Sequence, residues 1–313
     1  MLEPAIAADL VRGTQRIVVT GASGWLGLAT LELLASALGG DFAHRVVCFG
    51  SVERDLHLNN GLRMRQAPLR QIADLPLQPT WLLHFAFLTK DHAERMDDAA
   101  YCAANRAIGV AVLEALDRIG AEAVFLASSG AASRTNDPAA SQAMRLYGTL
   151  KQADEDMFTA WGECAGRRVV IGRIYALTGP YINKPEAYAI ASFILDGLAR
   201  RPIVVRAPRR VVRAYVAIRE VMSLAFALLG AERSGVARFD TGGMPLELAE
   251  AAAVVAAAVP GGTVERAAIT DVTPDCYYGN CDAYDALLAV HRVTPVPLPQ
   301  QVAETIDYLG TKQ

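Results

Sequence analysis

The sequence predicts an α/β protein with a doubly wound parallel sheet and a smaller C-terminal lobe. Near the N-terminus, a compact β-rich run at 16–20 is followed by a glycine turn and an apolar helix. Strand-like and helix-like segments then alternate to about residue 178, after which the alternation loosens. Such alternation is typical of a parallel sheet with helices on both faces. We expect a first domain over 1–178 and a lobe over 179–313, partly interleaved with it.

Hydrophobic periodicity predicts the individual elements. Strands are expected near 16–20, 44–49, 62–66, 81–86, 123–127 and 168–172. Helices are expected over 1–15, 28–38, 97–119 and 144–161, then near 188–199, 218–229 and 246–258. A last helix is expected after the Pro-rich segment 294–299.

Composition excludes several classes of function. The 313 residues carry a net charge of −3, which gives no indication of a nucleic-acid partner. Five cysteines without a CxxC pair or a Cys/His ligand spacing predict free thiols, a reducing cytoplasm and no metal. The N-terminus lacks a signal-peptide pattern, and no apolar stretch reaches about 18–20 residues, so no membrane span is expected.

The glycine turn GASGWLG at 21–27 predicts a dinucleotide site in a Rossmann fold. Gly21 allows the tight turn, Gly24 lets the backbone approach a pyrophosphate, and Gly27 lets helix and strand pack closely. The following helix N-terminus offers unpaired N–H groups to the phosphates. Glycine turns are common, but this one lies between a strand and an apolar helix. We assign cofactor binding to Gly21, Ser23, Gly24, Trp25, Leu26 and Gly27.

The end of the second strand predicts which cofactor binds. An acid there would bind the ribose 2′-hydroxyl of NAD, but Gly50 stands in its place. Ser51 and Arg54 follow and could hold a 2′-phosphate, so we favour NADP. NAD is the alternative, with Glu53 or Asp55 as the ribose ligand.

YGTLK at 147–151 predicts the catalytic pair. Tyr147 and Lys151, four residues apart on a helix, share one face. A nearby ammonium favours the phenolate, which suits Tyr147 to proton transfer. The helix follows the fifth predicted strand, which Ser129 closes at the edge of the sheet where ligands bind. We assign catalysis to this serine as well, because its hydroxyl can hydrogen-bond the reacting oxygen.

These segments resemble the extended short-chain dehydrogenase/reductases, the NAD-dependent epimerase/dehydratase family. The matching blocks are TGASGWLG at 20–27, LLHFAFLT at 82–89, NRAIGVAVLEAL at 105–116, FLASS at 125–129, YGTLK at 147–151, GRIYALTGP at 172–180 and VRAYV at 212–216. The resemblance implies that Asn105 supports a proton relay with the serine, tyrosine and lysine. It also implies that Ala86 and Phe87 line the cofactor.

The second half resembles the members that modify nucleotide-activated sugars, including O-antigen and deoxysugar enzymes. In VRAYV, the resemblance implies that Arg213 contacts the substrate diphosphate. We also assign Arg206 and Tyr175 to substrate binding; without the resemblance, the arginines around 206–213 could be a solvated strand edge. One departure is Ala176, where many members carry an asparagine that touches the substrate phosphate. The resemblance further implies a homodimer through the helices at 97–119 and 144–161.

Three hypotheses follow. The first is an NADPH-dependent 4-ketoreductase acting on a nucleotide-linked sugar, with a 4-epimerase that keeps NAD bound as its alternative. The second is a non-catalytic cofactor-binding protein, although the Tyr147–Lys151 pair is intact. The third is a reductase of small carbonyl compounds, which the arginine cluster disfavours. A 4,6-dehydratase is not expected, because Gly130, Ala131 and Ala132 follow Ser129 where dehydratases carry an Asp-Glu pair.

Overall fold

The computed structural model describes residues 1–138, 140–231 and 234–311. The chain forms two compact units, each built from two separate stretches. The first comprises Met1–Ile174 and Met222–Phe239, and the second comprises Tyr175–Val221 and the chain from Asp240 onward.

Fourteen strands and eleven α-helices are found in the described ranges. The strands are β1 Arg16–Thr20, β2 Val46–Gly50, β3 Arg54–His57, β4 Arg63–Pro68, β5 Thr80–His84, β6 Ala121–Ser129, β7 Arg168–Ile174, β8 Ala176–Thr178, β9 Ile203–Val205, β10 Arg209–Ala217, β11 Gly235–Asp240, β12 Pro245–Glu247, β13 Val264–Arg266 and β14 Asp271–Tyr277. The helices are α1 Pro4–Arg12, α2 Trp25–Leu38, α3 Phe42–Arg45, α4 Lys90–Ala93, α5 Asp98–Leu116, α6 Gln142–Ala165, α7 Ala189–Leu198, α8 Ile218–Leu229, α9 Leu248–Ala258, α10 Cys281–Val290 and α11 Leu298–Gly310.

The first unit is built on an eight-stranded sheet in the order β11-β7-β6-β5-β1-β2-β4-β3. The pairs from β7 to β4 are parallel. The chain moves outward from β1 through β2 and then returns to β5 on the other side of β1. Strand order therefore reverses between β1 and β5, where ligands bind in open α/β sheets. The predicted α/β class with a doubly wound parallel sheet is confirmed.

Two strands of this sheet, β3 and β11, were not predicted. The strand β3 pairs antiparallel with β4 at the sheet edge, with Arg54 opposite Gln66. Its sequence, RDLH, contains a single apolar residue, and only Leu56 is buried. A mostly exposed edge strand of four residues leaves almost no alternation in the sequence, which is why the pattern missed it.

Buried apolar side chains hold the helices on this sheet. Val112 and Leu116 of α5 lie in one core with Val18 of β1 and Val124 of β6. Each such side chain contributes about 1.5–3 kcal/mol when it is withdrawn from water. The helix α6 lies beside α5 and begins after Ser141, whose hydroxyl accepts a hydrogen bond from the backbone of Met144.

Two helical segments are long and apolar enough, by length and composition alone, to cross a membrane: Trp25–Arg45 and Asp98–Leu116. No apolar stretch of this length was predicted from the sequence, because these segments include a few charged residues. In this fold α2 packs on β1, and α5 contributes to the core. Core helices pass the same test, so the absence of a membrane-spanning segment stays a prediction.

The second unit contains smaller sheets. Strands β12, β10 and β14 form one of them, with β8 beside β10, and β9 pairs with β13. The strands β10 and β14 run parallel and place Arg213 opposite Tyr277. This pairing joins segments that lie about sixty residues apart, so the sequence pattern did not predict it.

Candidate active site

The glycine turn between β1 and α2 forms a close-packed backbone cradle. Gly21 has φ +69°, and a Cβ on it would lie 2.6 Å from the backbone nitrogen of Ala86. A Cβ on Gly27 would lie 2.4 Å from the carbonyl oxygen of Gly21. Both positions therefore require glycine. The helix α2 begins at Trp25 after Gly24, which provides no side-chain cap, and a helix N-terminus attracts an anion.

These residues fit a dinucleotide cofactor. The cradle lies at the point where strand order reverses, and its walls are backbone. A diphosphate is held at such a turn by backbone N–H groups and by the helix dipole. Ser23, Trp25 and Leu26, which were predicted to bind the cofactor, lie in this turn and in the first residues of α2.

The turn after β2 carries the residues that were predicted to select the cofactor. Ser51 and Arg54 are exposed there. Glu53 and Asp55 both bind Arg65 of β4, at 2.7 Å and 2.9 Å. Among the described residues, no hydrogen bond or ion pair is found for the side chain of Arg54. Both acids are thus engaged by Arg65, while the guanidinium of Arg54 stays available.

The lysine of the predicted pair is buried, with 5% of its surface exposed. The Nζ atom of Lys151 donates to the carbonyl oxygen of Ala127, 2.8 Å away. It also lies 3.8 Å from the centre of the Phe87 ring. Burial lowers the pKa of Lys151 to about 8, while the charges of Asp154 and Glu155 raise it. At neutral pH this lysine is therefore mostly protonated, but close to titration.

Tyr147 lies one helical turn before this lysine and shares Phe87 with it. The rings of Tyr147 and Phe87 meet edge to face, 5.6 Å apart. Next to the tyrosine, Gly148 is so close to the turn after β6 that a Cβ on it would lie 2.3 Å from the carbonyl oxygen of Ala131. The hydroxyl of Ser129 accepts a hydrogen bond from the backbone of the same alanine, at 3.2 Å. The structure thus brings the α6 face that carries Tyr147 and Lys151 to the β6 end that carries Ser129.

Asn105 is 1% exposed and holds the loop that follows β5. Its Oδ1 accepts from the backbone of Leu88 at 2.8 Å, and its Nδ2 donates to the carbonyl oxygens of Leu88 and Tyr101. The hydroxyl of Tyr101 also donates to Leu88. Asn105 therefore fixes the segment that contains Ala86 and Phe87. Its part in a proton relay stays a prediction.

Sequence reasoning missed a buried acid at this site. Glu155 is fully buried and accepts a 2.5 Å hydrogen bond from the hydroxyl of Ser128. Arg173 of β7 binds both oxygens of the same carboxylate, at 2.9 Å and 2.7 Å. This network fixes α6 against the ends of β6 and β7. One feature of the sequence could have indicated Glu155: it lies four residues after Lys151, on the same helix face.

Two more buried polar groups lie beside the pair. Asp154 is 4% exposed, and burial raises its pKa to about 6. His84, at the end of β5, contacts the hydroxyl of Thr20 through Nδ1 at 2.7 Å. Burial, together with the charge of Lys151, lowers the pKa of His84 to about 3, so its imidazole is neutral at physiological pH. Thr20 and His84 meet because β1 and β5 pair in parallel. The sequence did not indicate His84 as a site residue, because this pairing is not visible in it.

The second unit contains the residues that were predicted to bind substrate. Arg213 binds Asp275 at 2.8 Å and lies 5.8 Å from the Tyr277 ring. The ring of Tyr175 lies 4.8 Å from the same tyrosine, and its hydroxyl donates to Asp240. Arg213 and Tyr175 are therefore brought together around Tyr277. Arg206 is exposed beyond β9.

The arginine cluster is partly neutralised in the second unit. Arg209 binds Asp271 at 2.5 Å, as Arg213 binds Asp275. Both acids lie on β14, the strand next to β10. For Arg206 and Arg210, no ion pair is found within the described ranges. The diphosphate contact of Arg213 stays a prediction, because its guanidinium is already bound to a carboxylate.

A tyrosine that exchanges a proton with substrate needs a nearby cation to stabilise its phenolate. Helix α6 provides this cation, Lys151, beside β6 of the Rossmann sheet. This fold and site define an enzyme of the short-chain dehydrogenase/reductase type. The chain belongs to the NAD dependent epimerase/dehydratase family, whose family model matches residues 17–240. No curated protein sequence matches this chain.

Solved structures share the fold over nearly the whole chain. MoeE5 in complex with UDP-glucuronic acid and NAD has a TM-score of 0.71 and 20% identity, covering 95% of this chain and 100% of its own. The UDP-glucose 4-epimerase of Thermus thermophilus in complex with NAD has a TM-score of 0.68 and 23% identity, covering 95% and 99%. DesIV, a dTDP-glucose 4,6-dehydratase from Streptomyces venezuelae, has a TM-score of 0.70 and 18% identity, covering 95% and 97%.

Proposed function

We propose that this enzyme is an NADPH-dependent reductase of a 4-keto group on a nucleotide-activated sugar. The observation that carries the proposal is the pair Tyr147–Lys151. The lysine ammonium is buried against the ring of Phe87, and the phenol ring of Tyr147 contacts the same phenylalanine. When bound, the cofactor supplies a hydride to the carbonyl carbon. Tyr147 gives its proton to the carbonyl oxygen, and Ser129 hydrogen-bonds the same oxygen. Lys151 lowers the cost of the phenolate that remains.

The residues after Ser129 argue against dehydration. Elimination of water needs one group to protonate the leaving hydroxyl and another to abstract the neighbouring proton. Gly130, Ala131 and Ala132 follow the serine in a buried 3₁₀ turn and can do neither. Hydride transfer and a single proton transfer, which this site can perform, are sufficient for ketone reduction.

The ribose turn favours NADPH. Gly50 offers no carboxylate to a ribose 2′-hydroxyl, and Glu53 and Asp55 are occupied by Arg65. The exposed Arg54 can bind a 2′-phosphate, which carries about two negative charges. A cofactor held in this way would exchange between turnovers, as a reductase requires.

A 4-epimerase is the second candidate. Epimerisation at C4 uses the same hydride and proton transfers in both directions. Structural neighbours with this activity are bound to NAD, for example the Thermus thermophilus enzyme. Their likeness supports a nucleotide-sugar substrate for this chain, but the missing acid at Gly50 favours a reductase.

Two further parts of the proposal concern substrate and assembly. Arg213 contacts the nucleotide diphosphate of the sugar, and Arg206 and Tyr175 also bind the substrate. The enzyme forms a cytoplasmic homodimer in which α5 and α6 of two copies pack together. A two-fold interface of this kind presents the same patch on both subunits.

The test is turnover with a panel of nucleotide-linked 4-keto-6-deoxysugars. Purified protein is mixed with NADPH and each sugar, absorbance at the nicotinamide band is followed, and products are separated. Stoichiometric NADPH loss with one 4-hydroxy product supports reduction. Interconversion of 4-epimers with tightly bound NAD and no net NADPH loss rejects the reductase in favour of the epimerase.

A further inference from the structure

The glycine at the end of β2 is required by a neighbouring side chain. Gly50 is not among the glycines with positive φ, so its backbone conformation does not demand glycine. A Cβ on Gly50 would lie 2.2 Å from Nε2 and 2.5 Å from Oε1 of Gln66. Real Cβ atoms do not approach other atoms so closely. The side-chain amide of Gln66 therefore fills the space that any side chain at position 50 would need.

Gln66 cannot move away easily. It belongs to β4, where it pairs with Cys48, and its side chain is fully buried. Its Nε2 donates a 2.8 Å hydrogen bond to the carbonyl oxygen of Val52. Displacing the amide would break this bond and leave a buried donor without a partner, which destabilises the fold.

The amide is also an unusual choice for this position. Its Oε1 is buried and has no hydrogen-bond partner among the described residues. An apolar side chain of the same size would avoid that cost. The amide instead provides a hydrogen bond to Val52, which lies between Ser51 and Arg54.

We propose that Gln66 determines cofactor specificity together with Gly50. Gln66 excludes an acidic residue from position 50, and its bond to Val52 fixes the turn that presents Ser51 and Arg54 to the ribose 2′-substituent. The inference rests on the proposed NADPH site, since it concerns the same turn. Preference for NADP(H) is thus encoded in two coupled positions, and neither changes freely without the other.

The experiment is a double-mutant cycle on the full chain. Gly50→Asp, Gln66→Ala and the double variant are compared in two measurements. One is the melting temperature of the cofactor-free protein, and the other is the pair of dissociation constants for NADP⁺ and NAD⁺ by calorimetry. Gly40→Asp is the matched control, because a Cβ on Gly40 meets nothing within 4 Å.

We expect Gly50→Asp alone to lower the melting temperature by at least about 5 °C, with Gly40→Asp within about 1 °C of wild type. Gln66→Ala should weaken NADP⁺ about fivefold. The double variant should recover stability relative to Gly50→Asp and prefer NAD⁺ by about tenfold, because the acid then has room to reach the ribose.

Gln66→Met separates the two roles of Gln66, since it keeps the volume but loses the bond to Val52. It should weaken NADP⁺ and should not rescue Gly50→Asp. If Gly50→Asp is as stable as wild type, or if the double variant shows no coupling in either measurement, the inference is overturned while the cofactor site stands. Wild-type protein that binds neither NADP⁺ nor NAD⁺ would overturn the proposed function as well. The stability coupling is independent of which cofactor wild type prefers.

Discussion

The ammonium of Lys151 lies 3.8 Å from the centre of the Phe87 ring, and the ring of Tyr147 meets the same phenylalanine edge to face. One aromatic side chain therefore contacts both members of the proposed catalytic pair. It covers the lysine from water, and its face stabilises the positive charge. These two effects oppose each other in the pKa of Lys151, since burial favours the neutral amine.

Phe87→Leu separates these effects. Leucine keeps most of the apolar cover but removes the aromatic face, which is worth roughly 0.5–2 kcal/mol to a cation. We expect the pKa of Lys151 to fall further below about 8. The alkaline limb of kcat/KM should shift to lower pH, by roughly half a unit or more. Phe85→Leu is the control, because its ring packs on Phe125 and not on the lysine; equal shifts in both variants would contradict the role of Phe87.

Tyr147→Phe should abolish proton transfer and keep the cofactor site. Removing an acid–base group typically costs a factor of about 10² or more in turnover. The aromatic ring and its contact with Phe87 remain, so cofactor dissociation constants should change little. Stopped-flow turnover and fluorescence binding measure the two effects, with Tyr188→Phe, an exposed tyrosine, as control. Near-wild-type turnover in Tyr147→Phe would contradict the role of the tyrosine in proton transfer. Lys151→Ala, by contrast, should reduce both turnover and cofactor binding.

Arg54→Ala tests the phosphate contact in the ribose turn. A charge-assisted contact is worth about 1.5–3 kcal/mol, so NADP⁺ should bind roughly tenfold more weakly or worse. NAD⁺ should be affected less than about twofold. Arg63→Ala is the matched control, because it removes an equal charge from the other end of the same β3–β4 hairpin. Tighter binding of NAD⁺ than NADP⁺ by the wild type would refute the cofactor assignment.

The proposed homodimer makes a prediction about α5. Light scattering at micromolar concentration should give about twice the chain mass of 33.5 kDa. Val110, which is 40% exposed on α5, should lie at the interface, so Val110→Asp should shift the protein toward the monomer. Val272→Asp, at a position 94% exposed in the second unit, should leave the dimer intact. A wild-type protein that is only monomeric would exclude this assembly.

The parts of the site that follow from local pattern were predictable. The glycine turn, the strand end at Ser129 and the pair four residues apart on one helix all rest on short-range geometry. The burial of Glu155 and Gln66 was not, because a polar residue in a half-polar helix or strand does not by itself show that its side chain is buried. The pairing of Arg213 with Asp275 depends on β10 meeting β14, and no local pattern specifies which distant strands pair. The sequence therefore could not show that Arg213, which is proposed to contact the substrate diphosphate, has a carboxylate partner in Asp275.

Asp154 offers a test of how the buried charges are coupled. Its carboxyl group lies three residues after Lys151, next to Gly109 of α5, where a Cβ would lie 3.0 Å from its Oδ1. Burial raises its pKa from 3.8 to about 6. Above that pH it is ionised, and its charge raises the pKa of the lysine.

Asp154→Asn should therefore lower the pKa of Lys151 and move the alkaline limb of kcat/KM to lower pH, by roughly one unit. Stability should respond with a defined sign. Because the folded state holds the Asp154 proton more tightly than the unfolded state, the free energy of unfolding decreases as pH rises from 3.8 to about 6. The asparagine variant lacks this loss, so its stability relative to wild type should grow between pH 4 and pH 7, by on the order of 1–3 kcal/mol.

Urea unfolding at both pH values measures the stability difference, and pH–rate profiles measure the limb. Asp156→Asn is the matched control, since that carboxylate is exposed on the same helix and should produce neither change. A pH-independent stability difference for Asp154→Asn would mean that the carboxyl titrates at its ordinary pKa. An unmoved alkaline limb would mean that Lys151 does not feel its charge, and the coupling between the two buried groups would be rejected.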